Sequence, residues 1–374
     1  MFTTPLRWVL AVTACSALAQ ASACGSKSSS NDVPGSPSDG TVGEGPQRPA
    51  LASSAAQDAG APGEDPAPGG PPQVLFVGRF DTTDPTGPKA SWPASRIVTR
   101  FSGTAVSVTL REFAEDWMDG APSTWDVSID GAPPTMIEMI ADNQPRVFEL
   151  ASNLPPGEHE VELYKRSEMQ TGITQFLGFD LHGGRALAPP SRKARHIEAM
   201  ADSYGTGYGI EMLDAPNLDC PGADHGGRYQ NIRKAWPALL AARFDADLEG
   251  TLYSGKGLTR GIWPTDDDGL IDYYNRANPN PATANNPPLF DLSSWVPDAI
   301  ILVQGTVDNG IGNFRGVYRD FVVNQLRARA PNAHIFLVVP GRVARDKFID
   351  TVHSVANERA AAGDLKVHAV VPVV

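Results

Sequence analysis

The spacing of apolar and polar residues changes character once along the folded part of this chain. From Val74 to about Gly184, apolar residues come in short alternating or β-branched runs: VLFVGRF, SRIVTRF, AVSVTL, TWDVSID, RVFELA and HEVELYKR. Turn residues such as Asp130-Gly131 and Pro155-Pro156-Gly157 separate them. Short strands at this spacing predict an antiparallel β-sandwich. Gly183-Gly184 and Pro189-Pro190 mark a hinge. From about Arg195, apolar strands alternate with helix-spaced segments. The strands are HIEAMAD, LEGTLYSGKG, AIILVQGT, HIFLVVPG and KVHAVVPVV. Ile232, Trp236, Leu239 and Leu240 predict a helix over Arg228 to Phe244, and further helices are expected over Val317 to Arg329 and Arg345 to Ala362. This order predicts an α/β three-layer domain with a parallel sheet. Ligands of such sheets sit at the carboxyl ends of the strands. Ser203, Gly255 and Gly305 to Asp308 all fall there.

The N-terminus reads as an export signal. Arg7 supplies a positive charge, and Trp8 to Ala19 is an apolar stretch too short to span a bilayer. Ala21-Ser22-Ala23-Cys24 suits either cleavage after Ala23 or a lipoprotein box with Cys24 acylated. From Gly25 to about Pro72 the chain is mostly Ser, Gly, Pro, Asp and Ala. Such a segment buries too little apolar surface to offset its ordering entropy, so a flexible tether is expected. The division is then a signal peptide over 1–23, a tether over 24–72, a β-sandwich over 73–186 and an α/β domain over 190–374. The chain is expected to be exported, with a membrane contact only through the lipid. Of the three cysteines only Cys220 lies in the folded part, so no intramolecular disulfide is expected there.

The 43 acidic and 31 basic residues give a net charge of -12. That argues against nucleic acid or an anionic membrane surface as the main partner. Uncharged sugars and esters remain open.

The segment IEAMADSYGTGYG, Ile197 to Gly209, carries the chemistry. A strand delivers Ser203 to a glycine-rich turn, where a nucleophile would be exposed and near free backbone N–H groups. The glycines at 205, 207 and 209 are similar to a dinucleotide loop, but the third comes one residue early. Asp266-Asp267-Asp268-Gly269 lacks the ligand spacing of a calcium loop and reads as a solvated acidic loop. No cofactor and no metal are expected. Trp263, Tyr273, Tyr274 and Trp295 flank the loop between Gly255 and Gly305, where an aromatic ring can stack on a sugar; packing is the simpler account for Trp295.

The ordered set of a β-sandwich, DSYGTGYG, YSGKG and GTVD resembles the SGNH (GDSL-type) hydrolases. Gly78-Arg79-Phe80-Asp81, Trp92-Pro93, Gly157-Glu158-His159 and Gln175 to Phe179 narrow the resemblance to carbohydrate esterase family two, with an N-terminal jelly-roll. The resemblance implies a carboxylic ester hydrolase that deacetylates carbohydrate. Ser203 matches the nucleophile, and the Ser203 and Gly255 N–H groups match two oxyanion donors. Beside these, Asp202, Thr306, Asp308 and Asn309, and Trp263 for its place in the polar loop, are the candidate binding positions. The family's third donor is an Asn in Gly-Thr-Asn-Asp, and its base a His in a C-terminal Asp-x-x-His-Pro block.

This chain departs from that pattern. Ala201 replaces a glycine, and Val307 stands where the Asn is expected, with Asn309 two residues on. The sequence stops at Val374, before the expected His block, so the α/β domain is expected to be incomplete. Asp350-Thr351-Val352-His353 has the spelling but lies within a helical stretch without the proline, which makes His353 one base candidate among others. His225, in a polar loop, is another, and His368 reads as structural. Three readings stay open: an acetyl esterase, a tethered glycan-binding protein without turnover, and a truncated enzyme.

Overall fold

The computed structural model describes residues 70–113, 122–214, 227–262, 268–279, 287–308, 311–340 and 345–372. The stretch expected to be a signal peptide, most of the expected tether, and Cys24 and Cys220 lie outside the described residues.

The N-terminal strands form two antiparallel sheets. One has the order β1 (Leu75–Val77), β3 (Arg96–Gly103), β8 (Gly157–Lys165), β5 (Thr124–Ile129) and β6 (Thr135–Glu138), with β10 (Arg185–Leu187) also on β3. The other has the order β2 (Lys89–Ala90), β9 (Ile173–Asp180), β4 (Val106–Phe113) and β7 (Arg146–Ala151). Period-two patterning decides which side chains face inward. Val106, Val108 and Leu110 of β4 meet Ile97 and Phe101 of β3, Trp125 of β5 and Val161 and Leu163 of β8 in one buried core. The Trp125 indole N–H is satisfied by the Thr174 hydroxyl at 2.9 Å.

The second half builds a five-stranded parallel sheet. Its order is β12 (Ala246–Leu252), β11 (Arg195–Ala201), β13 (Ala299–Val303), β14 (His334–Val338) and β15 (Val367–Val370). Helices cover both faces, which is why central strands read as unbroken apolar runs. On one face, Met200, Ile300, Leu302, Ile335 and Leu337 pack on Phe314, Tyr318, Phe348 and Val352. These come from α4 (Phe314–Asp320), which continues as a π-helix over Phe321–Arg327, and from α5 (Arg345–Ala361). On the other face, Ala199, Ala201, Leu248, Leu252 and Ile301 pack on Ile232 and Ala241.

One helix is shorter than its periodicity predicts. The α-helical part, α2, spans only Trp236–Arg243, preceded by a 3-10 turn at Ile232–Lys234. Pro237 lacks an N–H and is accommodated only in the first turn, so the helix starts there. Leu239, expected on the packed face, is 57% exposed.

A buried ionic network joins the antiparallel sheets to the parallel one. Arg79, fully buried just after β1, reaches Glu249 of β12 at 2.7 Å and Glu198 of β11 at 3.0 Å. It also donates to the Tyr274 carbonyl. Arg329 holds the other Glu198 oxygen at 2.6 Å. Glu198 and Glu249 face each other across the β11–β12 register. Burial pushes the Glu198 carboxyl up to about 7, with Arg329 and then Arg79 pulling it back and Glu249 adding to the rise.

Candidate active site

Strand β11 ends at Ala201 and hands the chain to α1 (Ser203–Thr206), a single helical turn. Asp202 caps it, its Oδ1 accepting the Tyr204 N–H at 3.0 Å. Ser203 is exposed at the carboxyl end of the sheet, and no described residue hydrogen-bonds its Oγ. As the first residue of the turn it also has no intrahelical acceptor for its own N–H.

The turn is close because its glycines permit it. A Cβ on Gly205 would lie 2.6 Å from the Ala201 Cβ, so α1 sits directly on β11. Gly207 has φ +76°, and a Cβ there would lie 2.4 Å from the Asn231 carbonyl oxygen. Both positions therefore serve packing and backbone geometry, and no phosphate role is needed to explain them.

The second loop follows β12. Tyr253 N–H bonds back to the Ala201 carbonyl at 3.1 Å, placing the loop beside the Ser203 turn. The Thr206 and Ser254 hydroxyls meet at 3.0 Å and tie the two loops together. Gly255 has φ +75°, and its carbonyl accepts the Ile262 N–H at 2.8 Å. Its own N–H donates to no described residue. Among the described residues, the two N–H groups expected to hold an oxyanion thus both lack an acceptor, on adjoining loops.

The third loop follows β13. Asp308 does not face outward to a ligand. It is fully buried, and its two oxygens accept the Leu258 N–H, the Thr259 N–H and the Thr259 hydroxyl at 2.7–2.8 Å. A Cβ on Gly257 would lie 2.5 Å from Asp308 Oδ2, so the loop closes over this carboxylate. Asp308 therefore clamps the Gly255 loop. Gly305 allows Phe348 to approach, since a Cβ there would lie 2.5 Å from the ring.

Burial pushes the Asp202 carboxyl up to about 6; the Tyr204 N–H and then the Thr306 hydroxyl oppose this, and the Asp308 carboxylate adds to it.

His353 falls away from these loops. It is exposed on α5, five residues beyond Phe348, which contacts Gly305. That helix returns toward the amino end of the sheet, so His353 is ~7 Å further along its axis than Phe348. No role as base follows from that placement. His196, His334 and His368 sit near the amino ends of β11, β14 and β15, His159 lies in β8, and His182 in the turn between β9 and β10. Among the described residues no histidine stands at the carboxyl end with Ser203. His225, Trp263 and Asn309 lie outside the described residues. Tyr273, Tyr274 and Trp295 are buried, and Trp295 stacks on His196 at 4.6 Å, so these three serve packing. Of the acidic loop, Asp268 pairs with Lys256, and Gly269 opens α3 (Leu270–Tyr273).

Sequence reasoning overlooked Glu168 and Gln170, between β8 and β9. Glu168 is fully buried, and its Oε2 accepts the Ser254 N–H at 2.8 Å. Burial pushes its carboxyl up to about 7, against its bonds from Ser254 and the charge of Lys165. Burial lowers the Lys165 ammonium to about 8, while Glu112 and Glu168 oppose that. Gln170 Nε2 donates to the Ser254 carbonyl at 2.7 Å. The one local signal was the polar set Ser167, Glu168, Gln170 and Thr171 between two apolar strands, which resembles any turn.

Comparison with known proteins places this arrangement. Residues 76–190 match the family model "Carbohydrate esterase 2 N-terminal". The cellulase/esterase CelE of Acetivibrio thermocellus is 30% identical over 322 residues, 84% of this chain and 36% of that protein. An acetylxylan esterase / glucomannan deacetylase of Cellvibrio japonicus is 33% identical over 58% of this chain and 55% of its own length. The chain thus spans about a third of one curated relative and little more than half of the other. Among solved structures, a family two carbohydrate esterase from Clostridium thermocellum in complex with cellohexaose is 28% identical. It superposes with TM-score 0.70 over 80% of this chain and 88% of that one. A family two carbohydrate esterase from Cellvibrio japonicus is 25% identical, with TM-score 0.68 over 82% and 87%. Together with the parallel sheet and the loops at its carboxyl end, these likenesses show that the chain belongs to carbohydrate esterase family two of the SGNH hydrolases.

Proposed function

We propose that this chain is an exported serine esterase that removes acetyl groups from carbohydrate. The observation that carries the reading is exposed Ser203 at the end of β11, with its own N–H and that of Gly255, on adjoining loops, unpaired among the described residues. The names of the relatives support the substrate class: one is an acetylxylan esterase / glucomannan deacetylase, and one solved structure holds cellohexaose. On this reading the two antiparallel sheets are the family's jelly-roll. The N-terminal stretch supports export, with Cys24 as the site of an anchoring lipid or its neighbour Ala23 as the cleavage site.

In the proposed reaction, Ser203 Oγ attacks the acetyl carbonyl carbon while its proton passes to a base. The carbonyl oxygen becomes an oxyanion and is held by the Ser203 and Gly255 N–H groups. The sugar leaves as an alcohol after taking a proton, and water then releases acetate from the acyl-serine. Preorganised donors of this kind are each worth about 2.7–4 kcal/mol in the transition state.

A second reading is favoured by Val307, whose side chain has no donor where the family carries an Asn. It is a sugar-binding protein without turnover. One experiment separates the two: acetate release from acetylated xylan and p-nitrophenyl acetate, beside Ser203→Ala. Turnover that vanishes in the variant supports the esterase. Binding of xylan or cellohexaose with no turnover above the variant refutes it.

A further inference from the structure

The Ser254–Gly255 peptide is held from outside the parallel sheet. Gln170 Nε2 donates to the Ser254 carbonyl at 2.7 Å, and both residues are buried. Glu168 Oε2 takes the Ser254 N–H at 2.8 Å. Gln230 holds Glu168 in turn: its Nε2 donates to Glu168 Oε1 at 3.1 Å, and its Oε1 accepts the Glu168 N–H at 2.7 Å. Thr206, in the turn that carries Ser203, meets the Ser254 hydroxyl at 3.0 Å.

A peptide unit is planar and trans, so its C=O and N–H point in opposite directions. Fixing the Ser254 oxygen therefore fixes the direction of the Gly255 N–H. Gly255 at φ +75° is a residue whose backbone turns easily in either sense, so the plane is not held by local sterics. We infer that Gln170 is a positioning residue for the oxyanion site: its bond to the Ser254 carbonyl turns the Gly255 N–H outward, toward the acyl oxygen on Ser203. The connection between β8 and β9, part of the antiparallel half, thus completes a site built on the parallel half. This inference rests on the esterase reading.

The consequence differs from that of a general packing residue. An oxyanion donor acts in the transition state more than in the ground state, so its misplacement lowers kcat with little effect on KM. Removing such a donor outright lowers kcat by ~10²–10³. A peptide that is loosened but still samples the right direction is expected to lose ~10–100-fold.

The test compares wild type, Gln170→Met and Ser203→Ala. Methionine keeps the length and loses the donor. Expected are a kcat on p-nitrophenyl acetate reduced ~10–100-fold, a KM within about twofold, and a crystal structure of the variant with the 254–255 peptide turned. An unchanged kcat with the peptide in place overturns the inference, while Ser203→Ala shows independently whether the esterase reading stands. Wild-type hydrogen exchange gives a readout that needs no variant to fold. The Ser254 amide is expected to be protected and the Gly255 amide to exchange fast. Equal protection of the two would show the Gly255 N–H turned inward and would overturn the inference.

Discussion

Removing the Arg79 guanidinium tests what joins the two halves of this protein. In Arg79→Met the side-chain length stays and the charge goes. Two buried carboxylates lose a partner. Glu198 retains Arg329 at 2.6 Å, but Glu249 Oε1 is left with Arg329 at 3.8 Å, and its Oε2 has no hydrogen bond among the described residues. Breaking a buried ion pair from one side costs about 3–5 kcal/mol, because an uncompensated charge stays inside. That is a large share of the ~5–15 kcal/mol that a folded protein has in total. With a urea m-value of about 3 kcal/mol/M, the unfolding midpoint should fall by about 1–1.7 M. The loss should also depend on pH. The Glu198 carboxyl is raised in the folded state, so its contribution to stability is full below about 4.5 and is lost as pH rises through about 7. Without Arg79 one of the two cations that oppose the rise is gone, and the folded value climbs further. The deficit of the variant is therefore larger at pH 8 than at pH 5. Adding Glu249→Gln to Arg79→Met should restore part of the loss, with a coupling of about 0.5–3 kcal/mol. A midpoint shift below about 0.3 M, equal at both pH values, would refute the reasoning.

Three further outcomes follow from the site's geometry. Gly207→Ala should destabilise by about 1–3 kcal/mol or more, since φ is +76° and the new Cβ meets the Asn231 carbonyl; a thermal melt reads this, and an unchanged Tm would contradict it. Asp308→Asn swaps an acceptor for a donor opposite the Leu258 or Thr259 N–H, at a cost of about 1–3 kcal/mol, seen as faster amide exchange at 258 and 259. Glu168, raised to about 7 by burial, contributes stability that is full below about 4.5 and lost as pH rises through about 7. Urea midpoints of Glu168→Gln between pH 5 and 7.5 should accordingly decline less with pH than those of the wild type.

Much of the architecture is carried by short-range pattern. β11, β13, β14 and β15 stand out as apolar runs because a sheet covered on both faces needs apolar side chains on both. Ser203 was legible because the strand, the serine and the glycines adjoin in sequence. The α2 boundary was misjudged because apolar periodicity outweighed Pro237, which fixes the start. Asp308 reads as a binding position in its motif because the motif says nothing about which way the carboxylate turns; the Gly257 backbone leaves room for it to turn inward.

By itself the sequence determined the succession of strands, the parallel sheet, the glycine turn and the place of Ser203 at a strand end, since each depends on residues a few positions apart. Only the tertiary structure decided the partners of Arg79, 119 and 170 positions away in Glu198 and Glu249, and of Gln170, 84 positions from Ser254. Burial is what makes those partners specific. A charge or amide removed from water must find a matching group wherever the chain brings one, and no local pattern of residues encodes which distant segment that is.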